Sequence, residues 1–254
     1  MPELLDRYSQ ILSQMHAACG RAGRAPEEVT LIAVSKTKPE EDIRLLLSAG
    51  ALHFGENKVQ DLCRKMQDIP QEAGNKPIWH MIGSLQTNKV KYLVGSPVSL
   101  IHSVDSVKLA SALQKEAEKK QISSPVRILL EINIGGEATK GGFAPEEAEE
   151  ALRTIAQMDR LKVCGLMTVC PPGDEEANRP YFRSMRLLRD RLSALGLPGV
   201  ELKELSMGMS HDFQTAIEEG ATLVRVGSSL FGERDYSAPE WTPQIQDEKD
   251  AAKN

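Results

Sequence analysis

Lys36 ends an apolar run, "TLIAVSK", and a helix start follows at once at Pro39. An amine that rises from apolar walls, with a second cation nearby, has its pKa lowered. It can then attack an aldehyde or ketone and form a Schiff base. Arg225, in "LVRVGSS", closes another apolar run and is the candidate second cation. Two glycine-containing turns, "SMGMSHDF" and "RVGSSLFGE", place Ser210 and then Gly227, Ser228 and Ser229 where helices begin. Exposed N–H groups at helix N-termini bind anions. Each residue also has an ordinary reading. Lys36 could lay its stem on the wall and lift its ammonium to water, and Ser210 could simply cap a helix.

The elements that must position these residues repeat as strand then helix. Strand-like runs cover 30–36, 51–57, 78–83, 100–106, 126–133, 161–169, 202–208 and 222–232. Helical patterns follow: Pro39 to about Ser48, one through Val59, Leu62 and Met66, one near "QTNKVKYLV", then "VKLASALQKEAEKK", "PEEAEEALRTIAQM", "YFRSMRLLRDRLSAL" and "DFQTAIEEG". Pro39 at the first helical position and Glu40, Glu41 and Asp42 in the first turn make a strong start signal. Eight such units predict a (β/α)8 barrel of the α/β class, preceded by an extra amphipathic helix, "MPELLDRYSQILSQM". A doubly wound open sheet would carry a glycine-rich phosphate turn after its first strand, and "VSKTKP" stands there instead. The expected organisation is one barrel domain over residues 1–236 and a polar C-terminal tail over 237–254.

In such a barrel the active site forms at the C-terminal ends of the strands. Those ends bring Lys36, Glu56, Asn57, His80, Ser103, Asp105, Asn133, Thr168, Ser206, Ser210, Arg225 and Gly227 to one mouth. Phosphate sites in these barrels often follow strands seven and eight. A phosphate cup opposite a Schiff-base lysine suggests a ligand with both an aldehyde and a phosphate, and pyridoxal 5′-phosphate (PLP) has both. Two glycine stretches do not qualify as phosphate loops. "GSLQTNK" (83–89) lacks the second glycine and the Ser or Thr after lysine. "GGEATKGGF" (135–143) lacks the GxGxxG order, and its Glu137 and Lys140 are expected to face solvent.

The 254 residues are 41% hydrophobic and carry a net charge of −5 with both signs mixed, which argues against a nucleic-acid or anionic-membrane surface. No run is apolar for long enough to cross a bilayer, and the first helix has no secretory character, so the expected location is the cytoplasm. Cys19, Cys63, Cys164 and Cys170 lack metal or redox spacing, and the five histidines form no ligand-type cluster in the sequence. No metal is expected. Cys164 and Cys170 read as small buried hydrophobes.

With "AVSKTKP", "HFGENKVQD", "WHMIGSLQTNK", "IHSVDS", "GLMTV", "SMGMSHDF" and "VRVGSSLFG" in this order, the chain resembles the pyridoxal phosphate homeostasis proteins, the YggS/PROSC family, over residues 4–235. The resemblance implies a barrel like the N-terminal domain of alanine racemase, with PLP held as a Schiff base on Lys36. It further implies that Ser210, Gly227 and Ser228 hold the phosphate, that Arg225 faces the pyridine nitrogen, and that Asn57, His80 and Met207 line the pocket. One departure is Lys58, where the family often has Tyr after G-E-N.

A guanidinium has no lone pair to accept a hydrogen bond from a protonated pyridine nitrogen, so beside Arg225 the ring would stay neutral at nitrogen and be a poorer electron sink. A racemase compensates with a second base from another domain, for which this chain is expected to have no room. The expected function is therefore PLP binding in vitamin B6 and amino-acid homeostasis without strong catalysis. The partners would be PLP and PLP-dependent apo-enzymes, with no nucleic acid or membrane, and the chain would be a monomer or weak dimer. The alternatives are a PLP-dependent amino-acid racemase or related enzyme, and a cofactor-free aldolase using Lys36 on a sugar phosphate.

Overall fold

The computed structural model describes residues 2–69, 76–137 and 139–232. Its strands are β1 (Thr30–Val34), β2 (His53–Glu56), β3 (Ile78–Met81), β4 (Val98–Val104), β5 (Val126–Glu131), β6 (Leu161–Met167), β7 (Val200–Ser206) and β8 (Leu223–Val226). They form a closed parallel barrel in chain order, and β8 returns to β1 through the register Thr30↔Leu223 to Ala33↔Val226. The (β/α)8 expectation holds. The helices are α1 (Pro2–Arg21), α2 (Glu40–Ser48), α3 (Val59–Asp68), α4 (Val90–Leu93), α5 (Val107–Lys119), α6 (Ala148–Ile155), α7 (Glu175–Ser193), α8 (Phe213–Glu218) and α9 (Ser228–Phe231).

Local chemistry explains the helix starts. Ser106 Oγ accepts from Leu109 N at the head of α5, and the Asp174 carboxylate accepts from Ala177 N at the head of α7. Boundaries differ from the sequence reading at several elements; α7, for example, starts at Glu175, six residues before Tyr181, and β7 runs Val200–Ser206. The last strand stops at Val226, and Ser228–Phe231 turn into α9. The segment "QTNKVKYLV" contains a 3₁₀ turn, Thr87–Lys89, and then only one turn of α-helix. Pro39 stands just before α2 instead of inside it. The expected tail, 237–254, lies outside the described residues.

Two apolar layers hold the barrel. The outer one joins strands to helices and includes Phe54, Trp79, Leu62, Leu113 and Phe182. A smaller one fills the interior with Ile32, Leu100, Leu129, Cys164, Met167 and Leu223. Helix α1 buries Leu4, Tyr8, Ile11, Met15, Ala18 and Cys19 at helical spacing. It packs on α2, α8 and α9, covering the seam that the four-residue α9 is too short to cover. Arg7 Nε donates to Leu230 O at 2.7 Å, and Arg24 Nη1 donates to Ile217 O and Ala221 O at 2.8 Å. The extra helix and the turn after it thus brace the last two units, which carry Ser210, Arg225, Gly227 and Ser228.

Candidate functional site

At the C-terminal mouth, a cavity of about 400 Å³ is lined by Lys36, Asn57, Ser210, Arg225, Gly227 and Ser228, among others. That volume lies within the usual range for small-ligand sites, about 300–1,000 Å³. Val34, Ile82, Val169 and Met209 supply its apolar wall. Six of the eight candidate residues therefore meet at one cavity. His80 and Met207 do not reach its lining. Met207 is fully buried in the outer core, and its amide donates to Leu223 O. His80 lies deeper in the barrel.

The backbone beneath Lys36 is pinned from behind. Ser35, the residue before it, is buried and donates its hydroxyl to Glu56 Oε1 at 2.6 Å. Lys65, from α3, donates to Ser35 O at 2.7 Å and to the same Glu56 oxygen at 2.6 Å. Burial raises the Glu56 carboxyl above its ordinary range, against the pull of Lys65. On the other side of Lys36, Thr37 has φ +63°, a conformation that a β-branched residue rarely adopts. Such outliers cluster at functional turns. Lys36 itself is half-buried.

Arg225 lines the same cavity. It is almost fully buried, donates from Nη1 to Ser206 Oγ at 2.6 Å, and donates from Nη2 to Thr168 O at 2.8 Å. Burial lowers its pKa to about 10, while Glu131, Asp212 and Cys170 pull upward, so it remains a cation at neutral pH. Burial pushes the Cys170 thiol up to about 12, which leaves no thiolate nucleophile there.

Ser210 does not cap its own helix. Asp212 stands at the head of α8 and accepts from Met209 N at 2.6 Å. Ser210 Oγ instead accepts from Gly227 N at 3.2 Å and Ser229 N at 3.3 Å, the amides that open α9. The two glycine turns are thereby joined at the edge of the cavity. Gly208 allows this: its φ is +90°, and a Cβ there would lie 2.5 Å from Ala216 Cβ.

A family model described as the alanine racemase N-terminal domain matches residues 12–235. The pyridoxal phosphate homeostasis protein of Aquifex aeolicus is 48% identical over 235 residues, spanning 91% of this chain and 98% of that one. The protein of the same name in Escherichia coli K12 is 37% identical, spanning 93% of this chain and 99% of that one. The chain belongs to the pyridoxal phosphate homeostasis family. PipY of Synechococcus elongatus, whose structure was solved with PLP bound, is 33% identical with a TM-score of 0.75, covering 90% of this chain and 100% of that one. An alanine racemase from Clostridium difficile shares the fold at 16% identity and a TM-score of 0.70, and the match covers 57% of the racemase and 91% of this chain.

Within this homeostasis-family barrel, sequence reasoning missed two groups. One is the buried Lys65–Glu56 pair. The other is a line of histidines: His53, His80 and His102 are far apart in sequence but hydrogen-bond in series inside the barrel. The signal was the side-chain alternation that points each into the interior, but it is readable only once strand register is known. No group of three His, Cys, Asp or Glu suited to a metal ion occurs among the described residues. The remaining strand-end polar residues brace loops. Ser103 donates to Gly83 O, Asn133 donates to Glu137 O, and Lys140 in the following loop is exposed. Lys58, the departure from the family pattern, is exposed at the head of α3.

Proposed function

We propose that this chain binds PLP as a Schiff base on Lys36 and acts in PLP and amino-acid homeostasis, without strong catalysis of its own. One observation carries the reading: Lys36 and Arg225 face one cavity whose edge is closed by Ser210, Gly227 and Ser228. The residues fit the cofactor. There is a primary amine for its aldehyde, and there are hydroxyl and amide groups for its phosphate. Asn57 Oδ1, at the cavity, is buried with no hydrogen-bond partner among the described residues. When bound, PLP supplies an electrophilic aldehyde and an electron-withdrawing ring. Lys36 would engage the aldehyde, and Arg225 would stand at the pyridine nitrogen. Because the guanidinium keeps its protons, it would donate to that nitrogen without protonating it. This weakens the ring as an electron sink and favours holding the cofactor over using it. PipY, solved with PLP bound, supports the ligand, and the relatives are named for homeostasis and not for a reaction.

In this reading the chain is a cytoplasmic monomer or weak dimer, one barrel over residues 1–236, that exchanges PLP with apo-enzymes. No helix among the described residues is long and apolar enough to cross a membrane. The test is to load the protein with PLP, reduce it with borohydride and locate the adduct by mass spectrometry. An adduct on Lys36 is expected, and recovery only on another lysine overturns the assignment. Cα–H exchange of amino acids in deuterium oxide separates the racemase alternative, since turnover near a typical enzyme median of about 10 s⁻¹ would contradict a holding role. Cleavage of a sugar phosphate without PLP would favour the aldolase.

A further inference from the structure

The barrel interior contains an unbroken hydrogen-bonded string that ends on Arg225. From the far end, His53 Nδ1 meets His80 Nε2 at 3.0 Å, and His80 Nδ1 meets His102 Nε2 at 2.9 Å. His102 Nδ1 then meets Ser206 Oγ at 2.9 Å, and Arg225 Nη1 donates to the same oxygen at 2.6 Å. His80, His102 and Ser206 are buried, while His53, the first residue of β2, is half-buried at the other end of the barrel.

Donor and acceptor accounting sets the direction of every link. Arg225 can only donate, so Ser206 accepts from it. Among the described residues, Ser206 Oγ has just one other partner, His102 Nδ1, and its buried hydroxyl hydrogen must go there. His102 Nδ1 is then an acceptor, so the ring carries its hydrogen on Nε2 and donates to His80 Nδ1. The same logic puts the His80 hydrogen on Nε2, donating to His53 Nδ1. Burial lowers His80 to about 3 and His102 well below its ordinary value, which keeps both rings neutral. Every lone pair along the string therefore points toward the guanidinium. Arg225 makes no ion pair among the described residues: its direct partners are Ser206 Oγ and Thr168 O, and the carboxylates of Glu131 and Asp212 add attraction from farther off.

We propose that Ser206, His102, His80 and His53 are positioning residues: a one-way string that holds Arg225 charged and aimed at the cavity. The part concerning PLP rests on the function proposed above. The string itself does not.

The first test needs no cofactor. In the full chain labelled with ¹⁵N-histidine, NMR should show His80 and His102 as neutral Nε2–H tautomers at neutral pH, assigned with single His→Gln variants. An Nδ1–H tautomer or an imidazolium at either position overturns the proposal. The second test uses PLP. Ser206→Ala should weaken PLP affinity roughly tenfold, the scale of one lost hydrogen bond to a charged group, and shift the absorption band of the bound cofactor. Ser206→Thr, which keeps the hydroxyl, should restore both. His102→Leu should resemble Ser206→Ala. His102→Gln, which can accept from Ser206 and donate to His80, should resemble the unaltered chain. Equal behaviour of His102→Leu and His102→Gln contradicts the string even where Ser206→Ala fails to fold. If the tautomers are as expected and the unaltered chain takes up no PLP, the functional reading fails and the string stands. If PLP is captured on Lys36 and the tautomers are wrong, only the string fails.

Discussion

Two lysines near the end of β1 show how differently the same side chain can be used. Lys65 is sealed, at 1% exposure, with Glu56 Oε1 and Ser35 O within 2.7 Å. Lys36 is half-buried and faces a cavity of about 400 Å³. Lys65 has its charge answered by its own fold, and it serves as a strut behind the residue that precedes Lys36. Lys36, the residue proposed to hold the cofactor, lines the cavity itself. Burial alone does not mark a functional lysine. What marks it is burial beside a cavity whose other walls are also polar and held from behind, as Arg225 is by Ser206 and Thr168.

The sharpest way to break this contrast is to remove each lysine in turn. Lys36→Ala should abolish borohydride-fixable PLP capture completely while changing stability by less than about 1 kcal/mol. Lys65→Met should do the reverse. It leaves the Glu56 carboxylate buried and unpaired, so unfolding free energy should fall by about 3–5 kcal/mol in urea titrations. Any capture that remains should still map to Lys36. A Lys65→Met protein as stable as the parent would remove the strut from the argument.

A pH titration sharpens the comparison at the other wall. His80 sits at about 3 in the fold against 6.5 ordinarily. Between those values the unfolded chain holds a proton that the folded chain does not. This group's contribution to stability is therefore complete above about pH 6.5 and is lost as pH falls toward 3. The slope for one such group reaches at most about 1.4 kcal/mol per pH unit. His80→Gln should flatten the stability–pH curve in that window, and an unchanged slope would show that the ring is protonated in the fold. The smallest effect is expected from Ser106→Ala, which removes the cap on α5. It should cost about 1 kcal/mol in denaturant melts and leave PLP capture unchanged, because it touches neither lysine nor Arg225.

Much of this was legible before any coordinates. Ser35-Lys36 followed by Pro39 and three acids reads as a strand end feeding a helix, and the "SMGMS" and "RVGSS" turns read as paired mouth loops. The position of Ser210 did not follow so simply. Its sequence context suggests a cap on the nearest helix, but the hydroxyl reaches across to the amides of Gly227 and Ser229. Gly83 is similar. Its sequence context reads as an incomplete phosphate loop, whereas a Cβ there would lie 2.2 Å from Asn57 O, so the glycine is what lets the β3 loop rest on a cavity residue.

The chain's linear pattern by itself determined the number of β/α units, the mouth to which Lys36 and Arg225 belong, and the turns that accompany them, because periodicity and turn chemistry are local. Tertiary structure alone decided that Lys65 pairs with Glu56, that Ser210 joins two turns, and that three histidines line up behind Arg225. Those outcomes depend on strand register. The ladder between β3 and β4 shifts between Trp79↔Val98 and His80↔Leu100. A slip of one residue there would turn His102 from the interior to the outer face. No local stretch encodes that register, because it is set by the closing of all eight strands around one shared interior.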